Sequence, residues 1–124
     1  MNDTEVTMSH ELPANTLIAR EKALEAAGIA LALITRVPAP LKSLADQVVR
    51  SAASVPANIS EGHGRVGRDR FHHYRIAYAS AKEVDVHLRL LVGAGAVDAD
   101  CAQAAIHLFD EVRAMTWRMM HPQR

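Results

Sequence analysis

Arg65, Arg68, Arg70 and Arg75 stand close together, with Lys82 a little further on, and Asp69 is the one acid between Gly62 and Lys82. A planar guanidinium donates two parallel hydrogen bonds, so it suits phosphate oxygens better than a point charge does. That stretch carries net +4, whereas residues 1–25 carry −3, residues 26–61 +1 and residues 83–124 −2. The whole chain holds 14 basic and 14 acidic side chains, so no global field draws it to a polyanion. The candidate nucleic-acid contact is therefore local: Arg65, Arg68, Arg70 and Arg75, with His72 beside them. Cations at a helix start oppose the helix dipole, which invites an anion there. In the competing reading these arginines pair with Asp69, Glu61 or a neighbouring subunit's acids.

A second polar set surrounds a proline. Ser54, Pro56, Asn58, Glu61 and Gly62 fall within one helical pattern. Pro56 removes a backbone donor and crowds the carbonyl of Ala52, which predicts a kink near Ser54 and Val55. Asn58 and Glu61 share a face, placed to satisfy the freed backbone or to bond the third helix. Glu61 as a proton acceptor would need a nucleophile or metal partner, and the sequence offers none. Gly62 is expected to be the left-handed cap that stops the helix.

The seven histidines raise the question of a metal. His72 and His73 are adjacent and diverge by about 100° on a helix, so they cannot chelate together. No Glu-x-x-His motif of the di-iron bundles is present, and the Glu83–His87 pair reads as a surface contact. Neither a metal nor a cofactor is expected. The string from Gly62 to Gly67 fits G-x-G-x-x-G, but it follows a helix where a dinucleotide site needs a strand. Cys101 alone cannot form an intramolecular disulfide, and it reads as packing. No nucleophile, base and oxyanion donor can be assembled, so an enzyme is not expected.

Four helices must position these residues. Hydrophobic residues make up 49% of the 124 and aromatics only 4%, which suits close helix packing. After a loose arm over 1–14, with Asn15 or Thr16 as cap, the first helix spans about 16–36 and repeats Leu17, Leu24 and Leu31 every seven residues. A Val37-Pro38-Ala39-Pro40 break follows. The second helix spans about 41–62, with Ser43 and Asp46 as a start signal and a core line from Leu41 to Ile59. The third spans about 68–92 with Phe71, Tyr74, Ala77, Tyr78, Ala81, Val84, Leu88 and Leu91 inward. The fourth spans about 99–120, capped by Asp98, with Trp117 and the nearby methionines as core or interface filler. The pattern predicts one all-α domain over 15–121, an up-down-up-down four-helix bundle. Surplus apolar residues on the first and third helices, Ile29, Leu33, Ile76, Val86 and Leu90, predict self-association. The acidic start lacks a signal-peptide pattern, and the longest apolar run falls short of the ~20 residues of a membrane span, so a cytoplasmic protein is expected.

Several strings carry a family resemblance: Leu44-Ala45-Asp46-Gln47, the run Ser54-Val55-Pro56-Ala57-Asn58-Ile59-Ser60-Glu61-Gly62, Gly64-Arg65, Arg70-Phe71, the stretch Ala77 to Val84, and Gly95-Ala96-Val97-Asp98. Over roughly residues 16–120 the chain resembles small bacterial four-helix-bundle proteins first noticed as reading frames in intervening sequences of large-subunit ribosomal RNA genes. The resemblance implies a left-handed bundle and a ring-like homopentamer. A related branch, the accessory protein of diversity-generating retroelements, partners a reverse transcriptase and binds nucleic acid through a basic surface. This chain departs from the basic members in being neutral and in reading Arg68-Asp69-Arg70 before Phe71. The resulting expectation is a non-enzymatic homo-oligomer, pentameric by resemblance, that binds RNA or DNA at the arginine patch. The alternative is a scaffold or protein-interaction module without nucleic acid.

Overall fold

The computed structural model describes residues 14–122. The expected arm over 1–14 lies outside these residues, apart from Ala14, which is already helical. Four helices follow: α1 (Ala14–Leu33), α2 (Lys42–His63), α3 (Gly67–Gly93) and α4 (Ala99–Met120). Each packs on its sequence neighbours and α1 closes on α4, while the diagonal pairs lack comparable contact. With short connections this is the expected up-down-up-down bundle, without strands among the described residues.

Local chemistry explains most boundaries. One-turn 3-10 segments at Ile34–Arg36 and Ala39–Leu41 carry the chain through the Pro38 and Pro40 break. Leu41 N–H donates to the Pro38 carbonyl at 2.9 Å, and the turn leads straight into α2 without a side-chain cap. The Ser43 start signal is therefore not used. Asn15 and Thr16 likewise lie inside α1 rather than before it, and Asn15 accepts only from the neighbouring Thr16 N–H. Asp98 does cap α4: its carboxylate accepts from Cys101 N–H at 2.9 Å, and that bond holds its pKa below the ordinary carboxylate value. At the end of α3, Gly95 adopts φ 71°. Gly95 N–H donates to Val92 O, and Ala96 N–H reaches back to Leu91 O, a Schellman closure that a left-handed glycine permits.

The core corrects the expected seam of α1. Leu17 and Leu24 are 41% and 51% exposed, while Ala19, Ala23, Ala26, Ala27 and Ala30 are buried. Alanine lets α1 sit close to its neighbours, and the bulk comes from Phe109, Ile59, Leu88, Leu91, Val48 and Val55 on the other helices. Phe71 and, on the expected core line of α2, Val49 are misplaced too, at 43% and 38% exposed, and Tyr78 is only half-buried, although Tyr74, Ala77, Ala81, Val84, Leu88 and Leu91 are inward as expected. Of the expected interface residues, Ile29 and Leu33 are half-buried against the core, Ile76 is half-buried, and Val86 and Leu90 are exposed.

α2 runs unbroken through the buried Pro56. Gly62 is not its cap: the helix continues to His63, and Gly64 follows with an ordinary φ of −79°. Gly62 serves close approach instead. A Cβ built there would lie 2.7 and 2.8 Å from the ring carbons of Tyr74, whose side chain is buried. Gly28, in the middle of α1, has open space around that position. Gly28→Ala should therefore raise the urea midpoint by the helix-propensity gain of about 1 kcal/mol. Gly62→Ala should lower it despite the same gain, because overpacking costs about 1–3 kcal/mol. Both midpoints are read by circular dichroism in urea.

Candidate nucleic-acid interface

The arginines gather at the end of the bundle where α2 passes to α3, and they divide into two kinds. Arg65 lies between two carboxylates: its Nη2 is 2.8 Å from Glu61 Oε2 and its Nη1 is 2.8 Å from Asp69 Oδ2. Glu61 first, and then Asp69, hold its guanidinium still more firmly protonated. It ties the last turn of α2 to the first turn of α3. Arg70 donates from Nε to Gly62 O at 3.2 Å and from Nη2 to His63 O at 3.1 Å. Both carbonyls lie at the negative end of α2, that of Gly62 accepting from Arg65 N–H as well, so a cation in the first turn of α3 serves its antiparallel neighbour's terminus. Arg68 and Arg75 are exposed, and neither forms an ion pair or side-chain hydrogen bond among the described residues. His72 is exposed beside them, its ring edge-on to that of His73.

The proline set forms a bridge between helices. Asn58 Nδ2 donates to Ser54 O at 2.9 Å and to Ser54 Oγ at 3.0 Å. Ser80 on α3 donates its hydroxyl to Ser54 Oγ at 2.9 Å. Asn58 Oδ1 then faces His73 Nδ1 at 3.0 Å, so that ring nitrogen carries the proton. Asn58 thus bonds the third helix, as expected, but the carbonyl it serves is that of Ser54 and not the Ala52 carbonyl that Pro56 leaves without its donor. Glu61 takes no part in it, because it is engaged by Arg65. No histidine lies on a serine hydroxyl in this network, so it offers no activated nucleophile.

Two features of this end were not read from the sequence. Trp117 is not core filler but 49% exposed, with the His121 ring stacked on it at 4.1 Å and 24°. Beneath it opens a cleft of about 940 Å³ lined by Phe71, Tyr74, Trp117, Arg70, Arg118 and His63 among others. The signal was present in Phe71, a large aromatic that helical periodicity alone assigns an inward face, and in Trp117, a large aromatic beside the inward Thr116. Met115 and Met119 do pack partly on the core.

Elsewhere the chemistry is sparse. No cluster of three His, Cys, Asp or Glu able to hold a metal exists among the described residues. Glu83 and His87 meet at 3.3 Å on α3. Cys101 is exposed rather than packed, and the Asp98 carboxylate pushes its thiol pKa up, which lowers its reactivity. No helix among the described residues is long and apolar enough to cross a membrane.

Residues 15–118 match the model of a family described as 23S rRNA-intervening sequence protein. A crystal structure of a protein of unknown function from the S23 ribosomal protein family of Bacteroides thetaiotaomicron superposes with a TM-score of 0.77. It is 22% identical, and the likeness covers 86% of this chain and 98% of that one. At that identity the likeness is one of fold. None of the curated proteins matches the sequence.

The two kinds of arginine predict different responses. Arg70→Ala uncovers the His63 carbonyl and takes one of two donors from that of Gly62, and should cost about 1 kcal/mol in urea unfolding. Arg68→Ala removes an exposed side chain and should stay within about 0.5 kcal/mol.

Proposed function

The chain belongs to the 23S rRNA-intervening sequence protein family, and from that premise we propose that it is a non-enzymatic, cytoplasmic protein that assembles with copies of itself and binds RNA or DNA at the α2–α3 end of the bundle. The observation that carries this reading is that Arg68 and Arg75, exposed beside His72, have no ion-pair partner among the described residues. Arg65 and Arg70, held by their own partners, keep that surface rigid; Arg70, which meets only carbonyls, adds positive potential behind it, whereas Arg65 is offset by its two carboxylates. A short run of arginines on one copy is a weak attraction. Repeated around an assembly, the phosphate contacts and the counterions they release add together.

The exposed apolar residues support the assembly. Leu17, Ile18 and Leu24 lie outward on α1, and Val86 and Leu90 outward on α3. α1 and α3 occupy opposite corners of the bundle, so the two patches face apart. Two different patches on opposite sides suit a head-to-tail contact, which closes into a ring when the rotation fits. The homopentamer implied by the family resemblance is such a ring. A scaffold without nucleic acid is the second reading, and what favours it is that Glu61, Asp69 and the α2 carbonyls already engage two of the four arginines.

Two measurements test these statements. In fluorescence anisotropy with a mixed RNA pool, Arg68→Ala/Arg75→Ala should weaken binding alike across sequences and lower the salt slope by about 2 per protomer. Unchanged retention at low salt would remove the nucleic-acid reading. In light scattering, Leu24→Glu and Leu90→Glu should each reduce the protein to single copies. Mixed together they should form a one-to-one dimer, because each retains the patch that the other has lost. Full-size assembly by either variant would refute the head-to-tail contact.

A further inference from the structure

From the placement of the aromatic side chains we infer that the seam between α3 and α4 is a stacking platform for unpaired bases, so that the nucleic acid taken is single-stranded. The inference rests on the reading that the chain binds nucleic acid, and it names the form bound and the residues that select it. The chain has five aromatic residues, counting one Trp, two Tyr and two Phe. Phe109 and Tyr74 are buried in the core, at 1% and 4% exposed. The other three, Phe71, Tyr78 and Trp117, line two hollows that share Trp117 and Arg118, the first at the end of the bundle and the second between α3 and α4. A bundle whose core is built of alanine, valine and leucine does not need Phe71 at 43% exposure or Trp117 at 49% to fold.

The charge of the seam matches a phosphodiester strand. Arg70, Arg118, His63 and His121 line the first hollow, and Arg113 and Arg118 the second, with no aspartate or glutamate lining either. Lys82 Nζ sits 5.7 Å from the centre of the Tyr78 ring and extends the line of cations along α3. Aromatic faces interleaved with cations are what a flexible strand needs: each base offers a π-face and each phosphate a charge, whatever the sequence. A duplex keeps its base faces covered and gains only the cations. Trp117 already holds a flat ring, that of His121, at stacking distance. Phe71 and Tyr78 are seven residues apart, about 10 Å along α3, which is the rise of about three stacked bases.

The test uses the full chain, a labelled twelve-nucleotide single-stranded RNA and the matching duplex, at one salt concentration. Trp117 is the sole tryptophan, so its own fluorescence reports the seam. Single-stranded RNA should quench Trp117. Trp117→Ala should weaken single-strand binding about ten- to a hundredfold while leaving duplex binding and the salt slope unchanged, and Trp117→Phe should restore part of the loss. Phe71→Ala is a second variant at an exposed position and should act in the same direction. If single strand and duplex bind alike, Trp117 fluorescence stays constant and Trp117→Ala changes neither, the platform is refuted while the arginine reading stands. If neither nucleic acid binds the wild-type chain, both readings fall. If Trp117→Ala lowers the mass in light scattering, the seam belongs to a second copy and the platform is overturned.

Discussion

The contact between the Tyr74 ring and the backbone of α2 at Gly62 sets the geometry of the whole α2–α3 corner. A glycine is required because a Cβ would fall within 3 Å of the ring. With Tyr74 seated inward, the helical repeat fixes what its neighbours on α3 can do. Arg70, one turn earlier, lies beside the end of α2 and reaches the carbonyls of Gly62 and His63. Arg68 and Arg75 fall on the exposed side, and Phe71 lies on the rim of the cleft. One missing methyl group thus brings two helices together, lets an arginine close the end of one of them, and leaves the remaining cations to solvent.

The distribution of side-chain size follows a similar logic. α1 presents alanine to the interior and leucine to the outside, the reverse of an ordinary amphipathic helix. Small inward residues permit close packing, and the deficit in bulk is filled from the other three helices. The outward leucines gain nothing from folding a single copy. Their presence, together with Val86 and Leu90 on the opposite corner, is the physical basis for the proposed assembly.

Much of the fold was legible because periodicity and punctuation agreed. The four helices fell within a few residues of their expected bounds, with Asp98 as cap and the Gly93–Gly95 stop. The errors share one cause: a single helix carries several apolar lines, and spacing does not say which one is inward. The leucines of α1 make a good heptad, yet the alanines between them are the ones that pack. Phe71 and Val49 satisfy the core period and still stand at the surface. The arginine cluster was visible, but its division was not, since Arg70 meets α2 carbonyls only once α3 has folded back. Gly62 read as a stop signal because a sequence does not show a ring arriving from another helix. The use of Asn58 toward the third helix was legible, and so, in the competing reading of the arginines, was the pairing of Glu61 and Asp69 with one of them, here Arg65.

The chain of hydrogen bonds from His73 through Asn58 and Ser54 to Ser80 has a consequence for the alignment of α2 with α3. Their facing surfaces are rich in alanine and valine, and such smooth ridges would fit nearly as well if one helix slid along the other by a turn. The polar chain would not survive the slide: each of its members would lose a partner away from bulk water, and the displaced pairing would be penalised several times over. Four modest polar groups therefore act as a detent midway along the greasy rods, holding the same alignment that the Gly62 notch sets at their end.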